Sequence, residues 1–243
     1  ELWKIEGPDA KPVMVADIKP GASSSPEELV SMGGRLFFFT DDGANGSQLW
    51  TSDGTEEGTS LVKAIFSERM IWNHHLAVAG DRLFFFADDM LNGFQLWTSD
   101  GTDAGTVPVT DLHELEPDSI PFREEICAVG ETVYFVADDG THGFELWQSD
   151  GTAGGTAMVA DLYPSDPGST PECLTPAGGS LFFLANDGVN GRQVYGLDGE
   201  GPVGVTSFDE HHQAYGLFAG PDGSLFIFSL TSGSSGEVWH LPS

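Results

Sequence analysis

A segment of ten residues, GFQLWTSDGT at 93–102, recurs along this chain at a nearly constant spacing. Close copies are GSQLWTSDGT at 46–55 and GFELWQSDGT at 143–152, and weaker copies are GRQVYGLDGE at 191–200, ELWKIEGP at 1–8 and GEVWHLPS at 236–243. The aromatic residue of the motif falls at Trp3, Trp50, Trp97, Trp147, Tyr195 and Trp239, so that successive copies lie 44 to 50 residues apart. Such a period is typical of folds that stack one supersecondary unit many times.

Each repeat contains four short segments with the composition of β-strands. In the second full copy these are HLAVAG (75–80), RLFFFADD (82–89), FQLWTSD (94–100) and TVPVTDL (106–112). The aromatic run in the second segment is expected where both faces of a strand are covered. Short Gly- and Asp-rich joints inside a repeat predict antiparallel hairpins. Long joints such as 19–28 and 113–125 separate one repeat from the next.

This organisation predicts an all-β fold, a five-bladed β-propeller of four-stranded antiparallel blades in a single domain, 1–243. Four repeats cover about 29–66, 75–112, 125–163 and 173–208. The last blade combines 213–243 with 1–18, and the ring is closed by pairing of the N- and C-terminal strands. That blade has one third strand too many, at 2–5 or 238–241, and the sequence leaves open which of them pairs.

Three segments, QLWTSDGTEEGTSLVKAI (48–65), QLWTSDGTDAGTVPVTDL (95–112) and ELWQSDGTAGGTAMVADL (145–162), carry a family resemblance. They resemble the bacterial β-propeller repeat with the pattern ELWxSDGTxxGTxxVxDI, which occurs in secreted and surface proteins. The resemblance covers nearly the whole chain and implies a propeller that is secreted, periplasmic or at the cell surface. It implies no activity, because the repeat is a framework. The Trp is expected to pack one blade on the next, and Asp53, Asp100 and Asp150 to form the SDGT turn.

The charge of the chain limits its partners. With 38 acidic against 9 basic residues, the formal net charge is −29. Such a surface repels phosphates, which argues against nucleic acid, and favours cations or basic partners. No apolar run approaches the ~20 residues that cross a bilayer, so no membrane insertion is expected. Cys127 and Cys173 occupy different columns of the repeat, which predicts separate thiols, and the chain is expected to be a monomer.

The turns between second and third strands are rich in acidic residues: DDGANG (41–46), DDMLNG (88–93), DDGTHG (138–143) and NDGVNG (186–191). Asp and Asn followed by Gly are ordinary hairpin residues that cap backbone amides. The alternative interpretation is a weak calcium site, since Ca²⁺ needs six to eight oxygen ligands. The candidate ligands in these turns are Asp41, Asp88 and Asp138.

A second group of candidates lies directly before the first strand of each repeat. Aligning the repeats on the Gly that ends this strand places Glu27, His74, Glu124 and Glu172 in one column. The next column contains Glu28, His75, Glu125 and Cys173, and the fifth repeat offers His211 and His212 slightly out of register. Carboxylate and imidazole ligands from several blades are typical of a site for a divalent cation such as Ca²⁺ or Zn²⁺. The predicted metal ligands are therefore Glu27, His74, Glu124 and Glu172, together with the three turn aspartates.

The predicted function is a binding or interaction module with a ligand or cation site at the mouth of the central channel. The ligand would be a small molecule, a glycan or a protein. The predicted contact residues are Trp72, His74, His75, Phe122, Arg123, Glu124, Glu125, His211 and His212. The alternative is a glycan-directed hydrolase or lyase that uses Glu124, Glu172, His74 or His212 as acid or base. A third possibility is that these side chains only hydrogen-bond water and neighbouring blades.

Overall fold

The computed structural model describes residues 1–65, 75–89, 94–109, 125–165, 167–208, 212–231 and 236–243. Backbone contacts divide the chain into two compact units, unit 1 at Glu1–Ile120 and unit 2 at Pro121–Ser243. Each unit is a series of antiparallel sheets in which strands pair in chain order. Among the described residues, no helix is long and apolar enough to cross a bilayer.

Unit 1 contains a two-stranded sheet, here the N-terminal pair, followed by two four-stranded sheets. The N-terminal pair consists of β1 (Leu2–Lys4) and β2 (Val13–Ala16). Sheet 1 consists of β3 (Glu27–Met32), β4 (Arg35–Asp41), β5 (Ser47–Ser52) and β6 (Ser60–Lys63). Sheet 2 consists of β7 (Ala77–Ala79), β8 (Arg82–Asp88), β9 (Phe94–Ser99) and β10 (Val107–Pro108).

Unit 2 contains two further sheets of four strands and one of three. Sheet 3 consists of β11 (Ile126–Val129), β12 (Thr132–Asp138), β13 (Phe144–Ser149) and β14 (Ala157–Ala160), with a 3-10 turn at Ala153–Gly155. Sheet 4 consists of β15 (Glu172–Ala177), β16 (Ser180–Asn186), β17 (Arg192–Leu197) and β18 (Pro202–Gly204). Sheet 5 consists of β19 (His212–Ala219), β20 (Leu225–Thr231) and β21 (Gly236–Leu241). The four predicted strands are thus confirmed in sheets 1 to 4, whereas sheet 5 has three.

The terminal strands are arranged differently from the predicted closing blade. Strand β21 pairs with β20, with Phe226 opposite His240 and Phe228 opposite Val238, and β1 pairs with β2. Among the strand pairs that the structure describes, none joins one terminus to the other. The place beside β20 therefore belongs to the C-terminal third strand, and closure through terminal strand pairing is not confirmed. A hairpin partner a few residues away closes a much shorter loop than β1 would, at a lower entropic cost.

The core lies between the faces of consecutive sheets inside each unit. Phe37 and Phe39 of β4 pack with Phe85 and Trp97 of sheet 2, and the rings of Phe39 and Phe85 meet edge to face at 5.5 Å. Phe38, on the opposite face of β4, packs against the N-terminal pair. Successive residues of a strand point to opposite faces, so the aromatic run reflects a strand that is covered on both sides, as the sequence predicts.

At three places in the chain, the aromatic marker of the motif packs its sheet onto the preceding sheet or strand pair. Trp97 joins the cluster formed with sheet 1, Trp50 packs against the N-terminal pair, and Tyr195 packs in a cluster with residues of sheet 3. The expected role of this column, packing one sheet on its neighbour, is therefore observed at each of these three contacts.

The SDGT turn between third and fourth strands is held by its own side chains. In sheet 1, Oδ1 of Asp53 accepts hydrogen bonds from N and Oγ1 of Thr55, at 2.9 and 2.7 Å. The amide of Gly58 donates to Oγ1 of Thr55 at 3.0 Å. A Cβ at Gly58 would lie 1.9 Å from Oδ1 of Asp53, which explains the second glycine of the motif. Asp100 and Asp150 make the same bonds in their sheets, as expected for a structural turn.

Replacing Gly101 by alanine is expected to lower the free energy of unfolding more than the same change at Gly54. Both glycines have a φ of +87°, so each substitution adds about 1–2 kcal/mol of left-handed backbone strain. A Cβ at Gly101 would lie 2.8 Å from Cζ of Phe37, whereas a Cβ at Gly54 would meet nothing within 4 Å. Overpacking at Gly101 should cost about 1–3 kcal/mol more. Urea unfolding of both variants measures this difference, and equal losses would contradict the contact with Phe37.

Candidate functional site

The residues that lead into and begin the first strand, here called the lead-in segments (24–29 in sheet 1 and 169–174 in sheet 4), have an unusual backbone. Ser25, Glu28, Thr170 and Cys173 have φ of 47°, 52°, 45° and 58°. Among the described residues, these are the only non-glycine residues with positive φ. Each lead-in has two of them, three positions apart, and the second lies in a bulge in the pairing of first and second strands. The alignment of these two repeats at Glu27 and Glu172 is thus reproduced by the backbone.

Hydrogen bonds to the second strand fix the path of each lead-in. The carbonyl of Ser24 accepts bonds from the amide of Asp41 at 3.0 Å and from the hydroxyl of Thr40 at 2.7 Å. The carbonyl of Ser169 accepts a bond from the amide of Asn186 at 3.0 Å. Asp41 and Asn186 end their second strands, so the long crossing and the second-to-third turn lie at the same end of a sheet. From there the chain turns sharply to enter the first strand.

The bulged residues contact the neighbouring first strand within their own unit. Oε2 of Glu28 lies 3.7 Å from Nδ1 of His75, which directly precedes sheet 2, and both side chains are partly exposed. The thiol of Cys173 donates to the carbonyl of Tyr215 in β19, at 3.9 Å. The carboxylate of Glu125 accepts a bond from the amide of Leu174 at 2.7 Å. Of the predicted contact residues, His75 therefore lies beside the lead-in of sheet 1, and Glu125 lies beside the lead-in of sheet 4.

Tyr215 occupies the same position in its repeat as Glu28 and His75, and the sequence analysis did not identify it. It lies five residues before Gly220, the same interval that separates His75 from Gly80. The sequence comparison instead assigned His211 and His212 to this position. In the structure β19 begins at His212, and the register shift falls beside Tyr215. Counting back from Gly220 would have found Tyr215, whose half-exposed ring donates its hydroxyl to Gln213 at 3.2 Å.

Glu172, a predicted metal ligand and catalytic candidate, forms an ion pair with Arg192, the first residue of β17. Both side chains are about a quarter exposed, at 24% and 29%. The sequence did not indicate Arg192 as a partner of Glu172, because the residues at the same position in other repeats, such as Ser47, carry no charge. This ion pair gives Glu172 a partner within sheet 4, which favours a structural role for its side chain.

The acidic turn residues act mainly as caps. Asp41 pairs with Lys19 and accepts the amide of Gly43 at 2.6 Å; the hydrogen bond from Lys19, followed by that amide, lowers the pKa of Asp41. Asp138 accepts the amide of Gly140 at 2.7 Å. Burial acts to raise the pKa of Asp187, but bonds from Asn190 and its neighbours lower it to about 2. These contacts favour the hairpin interpretation of the turns.

A metal site is not evident in the part of the chain that the structure describes. Within those ranges no group of three or more His, Cys, Asp or Glu side chains is arranged to hold a metal ion. Asp88 ends β8, and Glu27 begins β3. Several predicted site residues lie outside the described residues: Trp72, His74, Phe122, Arg123, Glu124 and His211. For His212 only the backbone is described, so the predicted cation site stays a prediction.

A buried polar column that the sequence analysis did not single out holds the crossings in place. It occupies the second residue of the third strand. Glu145 is fully buried and accepts bonds from the amide and hydroxyl of Ser169, at 2.8 and 2.5 Å. Gln48 accepts the amide of Ile65 at 2.7 Å, and Gln193 accepts that of Phe208 at 2.8 Å. These side chains hold the start of the crossing that leaves sheets 1, 3 and 4. Through Ser169, Glu145 also holds the lead-in of sheet 4.

Cys127 and Cys173 are not joined in a disulfide, as the sequence predicts. Burial, followed by the nearby carboxylate of Glu125, raises the pKa of Cys127 from 9.0 to about 12. The folded protein therefore retains a thiol proton that the unfolded chain loses above pH 9.

The free energy of unfolding is expected to fall as the pH rises from 9 towards 12, by about 1.4 kcal/mol per pH unit from Cys127 alone. Below pH 9 this contribution is complete, because the thiol is neutral in both states. Urea unfolding across this range measures the slope, and Cys127→Ala should make it shallower. A variant with the wild-type slope would show that Cys127 ionises alike in the two states.

Comparisons with known proteins concern the fold. No family model matches the chain, and no curated protein matches it. A prolyl endopeptidase structure matches with a TM-score of 0.58 and 15% identity, over 89% of this chain and 32% of that one. Prolyl oligopeptidase B from Galerina marginata matches with a TM-score of 0.59 and 10% identity, over 95% and 36%. TolB from Acinetobacter baumannii matches with a TM-score of 0.44 and 14% identity, over 86% and 52%.

The chain thus spans about a third of the length of the two peptidase structures. At these identities the likeness concerns the fold alone. Together with the four-stranded antiparallel sheets, it supports a fold of the β-propeller type for this chain.

Proposed function

We propose that this chain is a binding module of the β-propeller type, built from the ELWxSDGT repeat, whose lead-in segments form the ligand-binding surface. The observation that carries the proposal is the strained backbone of Ser25 and Glu28 and of Thr170 and Cys173. Non-glycine residues with positive φ persist only where surrounding contacts hold them, and they concentrate at ligand sites. Their presence at equivalent positions of two sheets ties the strain to the lead-in.

The side chains of the lead-ins suit a positively charged ligand. In unit 1 the strained residue Glu28 lies beside His75, and both remain partly open to solvent. A carboxylate next to an imidazole binds borderline cations such as Zn²⁺, and carboxylates alone bind Ca²⁺. The net charge of −29 attracts cations and cationic ligands over longer distances. The proposed ligand is therefore a divalent cation or a small molecule that carries positive charge.

The finer features of the fold belong to this proposal. Five blades and a ring closed through the terminal strands stay predictions from the repeat count, as does a location outside the cytoplasm. The support for the repeat type is the SDGT turn, in which Asp, Thr and both glycines have structural roles and the hydroxyl of Ser52 accepts the amide of Gly54 at 3.0 Å. The hydrolase or lyase alternative also stays a prediction, because Glu124 and His74 lie outside the described residues.

A cation-binding experiment tests the proposal. Titrations with Zn²⁺, Ca²⁺ and spermine by calorimetry are expected to show binding of at least one of them to the whole chain. Glu28→Gln and His75→Ala should each weaken that binding by about tenfold or more, equivalent to about 1.4 kcal/mol. Thermal melting after treatment with a chelator gives an independent measurement for the two metals.

Glu57→Gln is the matched control for Glu28→Gln. It removes the same charge from an exposed residue in the third-to-fourth turn, at the opposite end of sheet 1. Binding should be retained in this variant. Equal losses in both variants would mean that only the overall charge matters, and no binding of any of the three probes would contradict a cationic ligand.

A further inference from the structure

The turn between the second and third strands of sheet 3 contains a histidine where its counterparts in sheets 1 and 4 contain asparagine. In sheet 1 the side-chain amide of Asn45 donates to the second aspartate of its turn at 3.0 Å, and Asn190 in sheet 4 makes the same bond at 2.7 Å. In sheet 3, Nδ1 of His142 lies 2.8 Å from Oδ2 of Asp139. This turn therefore keeps the bond but closes it with a side chain that can carry a positive charge.

The buried polar column differs in the same repeat. In sheet 1 the amide group of Gln48 donates to the carbonyl of Asn45 at 2.5 Å, and in sheet 4 that of Gln193 donates to the carbonyl of Asn190 at 2.8 Å. Each glutamine also accepts an amide of the crossing, so it links its turn to its crossing. Glu145 accepts bonds from the crossing, but an ionised carboxylate has no donor for the turn.

A third position follows the same pattern. It directly precedes the crossing residue whose amide bonds to the column, and it is Ala64 in sheet 1, Ser207 in sheet 4 and Asp161 in sheet 3. One carboxyl oxygen of Asp161 is buried and has no hydrogen-bond partner among the described residues. Sheet 3 thus has ionisable side chains at three positions where sheets 1 and 4 have neutral ones.

The turn of sheet 3 is in direct backbone contact with the crossing to sheet 4 (161–171). The amide of Phe144 donates to the carbonyl of Pro167, and the amide of Thr170 donates to the carbonyl of Phe144, both at 2.9 Å. A Cβ at Gly143 would lie 2.4 Å from the carbonyl carbon of Pro167. Attraction between side chains of the turn and of the crossing therefore acts on the segment that ends at Thr170, in the lead-in of sheet 4.

We propose that protonated His142 holds the crossing from sheet 3 to sheet 4 in place, which makes the crossing and the lead-in of sheet 4 sensitive to pH. The imidazolium attracts Asp161 at the start of the crossing, and also Glu145, which holds the end of the crossing through Ser169. Its charge replaces the link that a glutamine amide makes between turn and crossing in sheets 1 and 4. Loss of the proton leaves the bond to Asp139 but removes this attraction. The effect acts on the backbone and does not require a bound ligand.

The charges around His142 favour its protonated form. The hydrogen bond to Asp139 raises the pKa of His142 above its ordinary value of 6.5; burial acts in the opposite direction, and the negative charges of Asp139, Asp161 and Glu145 raise the pKa further. Among the described residues, these three carboxylates are the charged groups that act on His142, one each from its turn, the crossing and β13. Because the folded pKa lies above the unfolded value, the stabilisation is complete below about pH 6.5 and is lost as the pH rises through the folded pKa.

Amide hydrogen exchange of the whole chain, from about pH 5.5 to about pH 8.5, tests the proposal. After correction for the intrinsic pH dependence of exchange, the protection of the Ser169 amide should fall as the pH rises. The amides of Ile65 and Phe208 are matched controls in the same sample, because they bond to the neutral side chains of Gln48 and Gln193. Their protection should stay constant. An equal loss at all three amides would overturn the proposal, because it would reflect a change in the whole chain.

His142→Asn gives sheet 3 the turn residue that sheets 1 and 4 contain. The variant should fold, as judged by circular dichroism, and its Ser169 amide should no longer lose protection as the pH rises. A variant that retained the wild-type pH response would overturn the proposal. Titration of His142 in the wild-type chain by nuclear magnetic resonance is an independent measurement that needs no variant. A pKa of about 6.5 or lower for His142 would also overturn the proposal.

The reverse exchange tests whether the three positions are sufficient. Asn190→His, Gln193→Glu and Ser207→Asp together transfer the ionisable side chains to sheet 4, where Asp187 already occupies the position of Asp139. In this variant the protection of the Phe208 amide should fall with rising pH, while that of Ile65 stays constant. A folded variant in which the Phe208 amide remained insensitive to pH would overturn the assignment of the response to these three positions.

Discussion

The interaction on which the structure depends is the burial of both faces of the second strand. In β4, Phe37 and Phe39 pack on one neighbouring sheet while Phe38 packs on the other. A single four-stranded sheet cannot bury two apolar faces, so it needs a neighbour on each side. This requirement explains why the repeat recurs, and why the third strand presents an aromatic ring to the preceding sheet.

The lead-in geometry follows from this face-to-face packing. Stacked sheets need a long crossing from the last strand of one to the first strand of the next, and that crossing must stay close to the sheets. The buried column of Gln48, Glu145 and Gln193 holds its beginning, and the carbonyls of Ser24 and Ser169 hold its end. In sheets 1 and 4 the chain adopts positive φ where it enters the first strand. These are the strained residues on which the proposed ligand-binding surface rests.

Local features of the structure could be predicted from the sequence, and contacts between distant residues could not. The SDGT turn is predictable because Asp53 and Thr55 bond within a few residues of each other. The four strands of each full repeat and the packing of the motif Trp on a neighbouring sheet could be predicted from the regular recurrence of the motif. The ion pair of Glu172 and Arg192 joins residues at the ends of different strands, and no spacing rule indicates it. Tyr215 was missed because the paired histidines His211 and His212 were placed in the column in preference to the residue five positions before Gly220.

The buried column shows that each crossing is held by its own set of hydrogen bonds, whereas the sheets that the crossings connect are alike. Gln193 uses its amide group in both directions, donating to the carbonyls of Asn190 and Phe208 and accepting the amide of Phe208. Glu145 occupies the same position, and its two carboxyl oxygens act as acceptors. Ser169 donates its amide to one of them and its hydroxyl to the other. A change in one crossing is thus matched by the residue that holds it. Because the crossings vary while the turns and the core repeat, differences in binding between sheets should arise in the crossings and lead-ins.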